Sequence, residues 1–454
     1  MVECDCQCHR TAILELHPDD DIPSYDQIRR KVADLTGIHA LQTAMCVNLC
    51  VIYTGPFVDL RECPHCKEPR YNSLSLNRGS LVPRRMFHTF PIRPQIQAMW
   101  LSSENAQLMW HCGLRTQEIL EAVKQDPAFL TTGNFDDIYK GLDYLWEVEA
   151  GCIKDKDTVL MFSLDGAQLY ASKTSDCWFF IWVLLDLPLS SHYKKQYVLP
   201  GSVIGGPNKP KNCEGLWIWD TSTQQKVLIY PFLLLATADG PGMAYLSRMV
   251  GHQGGHGCRL YCGFPSRLKP GANTYYPAGS RPDDPGCNLS GSLHADISPC
   301  AYAQVASACV HPVYLRNLRT VIESRSGAAY QRNRLKTGIV KPSIFAGLPQ
   351  VLPLPACFGM DLMHLITLNL TNLIISLLRR TITCNLTDDK ATWDWAVLTD
   401  QETWRMHGKL VEGSMPYLLG SFDCPPRNPA EKISSGYKAW EFLLYIYGLL
   451  PVFL

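Results

Sequence analysis

Residues 158–170 read TVLMFSLDGAQLY, an apolar run that stops on Asp165 and turns at once through Gly166 and Ala167. Residues 232–242, FLLLATADGPG, repeat the shape and deliver Asp239 to a Gly-Pro-Gly turn. Short apolar runs closed by turn residues read as buried strands. A strand that stops on a carboxylate holds that charge rigidly at a sheet edge, where a metal ion or polar substrate can reach it. Two such strands predict two carboxylates converging on one site, and the rest of the chain is read for a third.

The text around them gives a fold class. After the Asp165 strand come CWFFIWVLLDLP (177–188) and YVLPGSVIGG (197–206), then a Pro- and Gly-rich, irregular segment. LIYPFLLLATADG (228–240) supplies the Asp239 strand, and PGMAYLSRMVG (241–251) a short helix behind it. Three adjacent strands and then a further strand ending on a second aspartate is the order of an RNase H-like mixed sheet, an α/β fold. The 74 residues from Asp165 to Asp239 leave room for two strands and a connection.

Composition narrows the class. A chain of 454 residues predicts two or three domains. Its formal net charge is zero, so any basic footprint for nucleic acid has to be local. The 19 cysteines are odd in number and several stand in close pairs, while the opening MVECDCQCHR lacks the apolar core of a signal peptide. Together these predict a reducing compartment, where close pairs favour zinc over disulfides. The longest apolar runs, 361–380 and 439–454, carry Asp361, His364 and Glu441 and read as buried helices, not membrane spans.

Cys4, Cys6, Cys8 and His9 crowd the start, but their alternation makes a poor zinc knuckle and the segment reads as a frayed end. Residues 23–37 read as a short helix. In CVNLCVIYTGPFVDLRECPHCKEPRY (46–71), Cys46 and Cys50 stand three residues apart and Cys63 and Cys66 two, with twelve residues between the pairs. A short hairpin of that length folds one pair onto the other and offers four soft ligands for a structural zinc ion. The ordinary alternative is two unrelated pairs of core cysteines. Residues 70–95 are Pro-rich and basic, a linker suited either to solvent or to a phosphate backbone. From 96 to 150 the pattern is that of amphipathic helices.

Beyond residue 250 the regular pattern stops. GHQGGHGCRLYCGF (251–264) carries Cys258 and Cys262, and helical text resumes at VYLRNLRTVIESRSGAAYQRNRLKTG (313–338). Asp361 and His364, three residues apart, share a helix face. A split zinc site drawing on Cys258, Cys262, His364 and one further ligand is one reading; a core cysteine pair and a satisfied histidine is the other. The third acid comes from EKISSGYKAWEFLLYIYGLLPVFL (431–454), where Glu441 is the lone charge of an aromatic and aliphatic helix. Such a carboxylate either finds a partner, lines a polar site or faces water beside Lys438.

These motifs together resemble the CACTA (En/Spm-type) transposase superfamily in its basidiomycete fungal form. The matching text is CVNLCVIYTGPF with CPHCKEPRY, FSLDGAQLY, LPGSVIGGPNKPKN, TADGPGMA, GHQGGHGCRLYC, GMDLMH and SSGYKAWEFLLYIYGLLP, in the family's order over roughly residues 40–454. GMDLMH matches the acid-or-Cys, two-residue, His signature that the superfamily places before its glutamate.

The resemblance implies an RNase H-like catalytic domain with a DDE triad of Asp165, Asp239 and Glu441. The 202 residues from Asp239 to Glu441 imply a large, mainly helical and irregular insertion. The implied layout is a zinc-ribbon-like module and basic linker over 1–95, a helical segment over 96–157 and the first part of the core over 158–250. An insertion domain over 251–430 and a core helix over 431–454 complete it. Mg²⁺, or Mn²⁺ in its place, is the implied occupant of the triad, with Asp165 bridging two ions, Asp239 holding one and Glu441 the other. The implied activity is phosphodiester cleavage at transposon ends and strand transfer into target DNA, in the nucleus. DNA is then the partner, no membrane is involved, and binding two ends implies a homo-oligomer. A second reading is a catalytically inactive, transposon-derived DNA-binding protein or a truncated copy.

Overall fold

The computed structural model describes residues 2–48, 50–73, 79–132, 136–168, 176–203, 216–268, 273–276, 296–306, 310–382, 389–419, 425–434 and 436–454. The chain forms two compact units, Met1–Gly359 and Met360–Leu454. The expected GGPNKPKN loop and most of 263–300 lie outside the described residues.

The larger unit is mixed α/β. Its strands are β1 (Leu41–Ala44), β2 (Met86–Thr89), β3 (Thr158–Gln168), β4 (Asp176–Leu184), β5 (Val198–Val203), β6 (Leu216–Asp220), β7 (Gln225–Ile229) and β8 (Pro231–Ala238). Six of them make one sheet in the order β1-β2-β5-β4-β3-β8. β3, β4 and β5 run as an antiparallel meander, and β8 lies parallel to β3 on its other side. The apolar, β-branched and aromatic content of these runs suits strands buried on both faces. Beyond β8 the chain returns at 350–359: Leu233 bridges Val351 and Ala236 bridges Phe358, both parallel. Pro353 and Pro355, which have no N–H to donate, stand between the two bridges.

Side chains alternate between two cores. Val159, Phe162, Leu164, Val183, Phe232 and Ala236 pack on one face with Tyr139, Tyr144, Met243, Leu246, Tyr314 and Leu318. Leu160, Leu184 and Leu199 pack on the other with Ile96, Met99 and Trp100 of the helix Ile92–Leu101. Helices thus cover both faces, and a strand end is the open place for a charge.

Three local expectations change. β6 and β7 form a hairpin in what read as an irregular segment, so Leu228 and Ile229 belong to β7 and the Asp239 strand starts at Pro231. The start is a helix, Val2–Leu16, where a frayed end was expected; Ala12, Leu14, Glu15 and Leu16 are strong helix formers. The N-terminal cysteine region is not a separate module, because β1 and β2 continue the main sheet through β5. The helix read over 23–37 is present as Tyr25–Thr36, with a Ser24–Gln27 capping box and left-handed Gly37 behind it.

The smaller unit has its own core, with Ile375, Trp404, Val411, Tyr437, Phe442 and Tyr445 at its centre. The helix Ala439–Leu444 packs against the π-helical segment Met363–Leu370 and runs on into a second one, Tyr445–Leu449. Among the described residues no helix is long and apolar enough to cross a membrane.

Candidate functional site

The aspartates come first because the sheet register fixes them. Leu164 of β3 is the parallel partner of Ala238 of β8, and Asp165 and Asp239 are the next residue on each strand. Neighbouring strands lie about 4.8 Å apart, so the backbones of the two acidic residues stand about one strand spacing from each other. Asp165 does not end its strand as the Gly166-Ala167 text predicts: β3 runs on paired with β4 through Gln168, and Asp165 stands inside it opposite Phe179 with its side chain exposed. Among the described residues it takes no hydrogen bond or ion pair.

Asp239 instead caps a helix. Its Oδ1 accepts from the Gly242 amide at 2.7 Å, at the N-terminus of Gly240–Ser247, with Pro241 in the first turn. A Cβ on Gly242 would stand 2.7 Å from that Oδ1 and 3.0 Å from the Ala238 Cβ, so the Gly-Pro-Gly text is what lets the amide reach the carboxylate. The cap fixes one oxygen and aims the residue.

Cys46, Cys50, Cys63 and Cys66 come together: their four Sγ atoms all lie within 4.8 Å of one another. Cys46 and Cys66 sulfurs are 3.4 Å apart. Tetrahedral zinc with Zn–S bonds of about 2.3 Å needs sulfurs about 3.8 Å apart, which this spread accommodates. The first pair sits on a tight hairpin, with the Cys46 amide donating to Val51 O at 2.9 Å and the Tyr53 amide to Ala44 O at 3.0 Å. In the second, Lys67 takes a left-handed φ of 61° and its amide returns to Cys63 O at 2.9 Å. Ala44, Val51 and Tyr53 pack around the buried Cys46 and Cys63. Amide donation from Glu68 lowers the Cys66 thiol to about 6, while the hydrogen bond with Cys66 pushes Cys50 up to about 12. The quartet can hold a metal ion such as zinc, and four protein ligands leave no open position for chemistry.

Glu441 is 4 % exposed and its carboxylate is fully engaged. Arg427 grips it through Nε to Oε1 and Nη2 to Oε2, each 2.7 Å. The amides of Arg427 and Lys438 donate to the same carboxylate at 3.1 and 2.8 Å. Burial works to raise its pKa, but these donors outweigh burial and hold it down at about 2. Glu441 therefore neither faces water nor stands alone. Arg427 was missed in the sequence: it lies fourteen residues upstream in a Pro-rich stretch, and no helical or strand spacing links the two.

Cys258 and Cys262 face each other across a turn in which the Tyr261 amide donates to Cys258 O at 3.0 Å. The Cys262 thiol donating to its partner lowers Cys258 to about 6. Within the larger unit, among the described residues, no third Cys, His, Asp or Glu completes a metal set with them. His364, in the smaller unit, is held through Nδ1 by Asp361 Oδ2 at 2.6 Å, and its amide by Asp361 Oδ1 at 3.0 Å. Asp361 stands just before the helical segment, so the pair meets as a cap on the helix start and not as two neighbours on one helix face.

No protein-family model matches the chain, and no curated protein matches it.

Proposed function

We propose that the chain is a metal-dependent DNA-cleaving and strand-transferring enzyme of the DDE transposase type, on an RNase H-like sheet. The observation that carries this reading is the pairing of Leu164 with Ala238, which brings Asp165 and Asp239 out on adjacent parallel strands. The antiparallel β3–β4–β5 meander, the parallel β8 and the parallel return at 350–359 also fit the strand order of that fold.

Asp165 and Asp239 would hold Mg²⁺; the resemblance implies Glu441, which lies in the smaller unit, as the third acid. A hard ion of this kind takes one or two carboxylates and keeps waters and phosphate oxygens, and a carboxylate without a partner beside one with a single capped oxygen suits it. When bound, such ions activate an attacking water or 3′-hydroxyl and stabilise the leaving oxygen. The protein's part is positioning: β3 fixes the Asp165 backbone and the cap fixes one Asp239 oxygen before any ligand arrives.

Nicking of supercoiled plasmid in Mg²⁺ or Mn²⁺ tests the reading. The native chain should nick, and Asp165→Ala, Asp239→Ala and Glu441→Gln should each lose at least about 100-fold, since such chemistry rests on electrostatics. Equal nicking by all four, or none by the native chain, would remove it.

The grip of Arg427 on Glu441 favours a second reading, an inactive transposon-derived DNA-binding protein in which Glu441 is purely structural. On that reading Glu441→Gln lowers stability, and the native chain binds DNA without nicking it.

A further inference from the structure

Away from the aspartates and the cysteines, one surface carries a charge unlike the rest of the chain. Residues 311–341 hold seven basic side chains, Arg316, Arg319, Arg325, Arg332, Arg334, Lys336 and Lys341, against one acid, Glu323. The whole chain has 42 of each sign, so the remainder is net negative. Two helices, His311–Ile322 and Gly327–Thr337, present most of this charge. All seven except the half-buried Arg334 are exposed. Among the described residues none forms a salt bridge with an acid.

The helices are held rigidly. Tyr314, Leu318 and Val321 enter the core, and the Tyr330 hydroxyl donates to Val340 O at 2.9 Å. Asn333 Nδ2 ties the helices together, donating to Thr320 O at 3.1 Å and Ser324 Oγ at 3.0 Å. Ser326 caps the second helix by accepting from the Ala329 amide, and Gly338 ends it in the left-handed region at φ 72°. With the inner faces fixed, Arg316 and Arg319 sit one turn apart on the outer face of the first helix, as do Arg332 and Lys336 on the second. An unpaired cationic face costs self-repulsion and adds nothing to the core, so its complement lies outside the unit.

We propose that the outer face of this helical hairpin is a docking surface for the phosphate backbone of duplex DNA. Five of the seven cations are arginines, whose planar guanidinium matches phosphate oxygens in pairs. Rigid display keeps the ordering cost of binding low. An anionic membrane would need a continuous apolar stripe, but Arg316 and Arg319 interrupt the exposed Leu315 and Ile322. The choice of duplex DNA among polyanions rests on the transposase reading; the charge and its rigidity do not.

The full chain is titrated against a fluorescent duplex of arbitrary sequence without magnesium, over a range of salt. The comparison is Arg316→Gln, Arg319→Gln, Arg332→Gln and Lys336→Gln combined, with a charge-keeping set of Arg316→Lys, Arg319→Lys, Arg332→Lys and Lys336→Arg. The neutral variant should bind at least about 10-fold more weakly near physiological salt, with a salt slope shallower by about 3 to 4, one phosphate contact per lost cation. The charge-keeping variant should hold most of the native slope, and equal melting temperatures exclude misfolding as the cause. Unchanged affinity and slope in the neutral variant overturns the proposal, as does native binding to anionic phosphatidylserine vesicles but not to duplex. Nicking that survives with DNA binding unaltered in the neutral variant sinks the docking surface alone. Duplex binding lost in that variant, with no nicking by the native chain, keeps the surface and sinks the enzyme.

Discussion

Asp165 and Asp239 stand side by side on the sheet, each one residue beyond the paired Leu164 and Ala238. Two carboxylates carried on neighbouring strands can share one divalent cation. Neutralising either should therefore weaken divalent binding, by about 10-fold or more for a hard ion held by few carboxylates. Mn²⁺ binding by the native chain, Asp165→Asn and Asp239→Asn, followed by electron paramagnetic resonance, measures this. Equal affinity in all three would mean that the pair binds no metal.

Gly242 is the weak point of the Asp239 cap. Gly242→Ala places a methyl 2.7 Å from Oδ1, so either the carboxylate swings out or the helix start shifts. A lost cap costs about 1 kcal/mol and local overpacking about 1–3 kcal/mol. Urea denaturation should read a loss in that range, and any nicking activity should fall with it. A variant of native stability and native activity would show that the cap does not aim Asp239.

Removing metal from the cysteine quartet should loosen residues 41–71 first. Cys63→Ser takes away a fully buried ligand and should lower zinc content, by plasma emission spectrometry, to well below one equivalent. Treatment with a zinc chelator should lower the melting temperature of the native chain and leave that of Cys63→Ser unmoved. A native chain that carries no zinc would reduce the quartet to packed thiols.

Acid should loosen the smaller unit through Glu441. Its folded pKa is depressed, so the stability it contributes is present above its ordinary value of 4.5 and is lost as pH falls from there through about 2. Arg427→Gln should flatten that dependence. It should also lower stability, by less than breaking a wholly buried pair would, because Arg427 is itself 43 % exposed. Hydrogen exchange of the Ala439–Leu444 amides against pH reads both effects, and identical profiles for variant and native chain would dismiss the pair as a stabiliser.

What could be read from the sequence follows physical range. The strand end before Asp239 was legible because an apolar run closed by a Gly turn is a local signal, and so was the spacing of the four cysteines; the same signal misled at Asp165, where Gly166 and Ala167 stay paired with β4 and the strand runs on to Gln168. The β6–β7 hairpin was not, although LWIWD and QKVLI flank a four-residue turn, because Thr, Ser and Gln there are weak turn markers. β1 and β2 were hidden for another reason: LQTA and MFHT are four residues each and gain strand character only from their partners. Arg427 carries no local signal at all, since its pairing with Glu441 is created by tertiary structure.

The run of β2 along β5 has a consequence for how the protein fails. The Phe90 amide donates to Gly201 O at 2.9 Å and Ser202 Oγ to His88 O at 2.9 Å, which closes one margin of the sheet. Both covering strands are short and are anchored by the cysteine hairpin next to them. Stripping a metal held by the quartet should bare the backbone of β5, and an uncovered strand recruits whatever strand it meets, most readily its own copy. A chelated preparation should scatter light well before its helices melt, so that scarcity of zinc becomes a problem of clumping and not of unfolding.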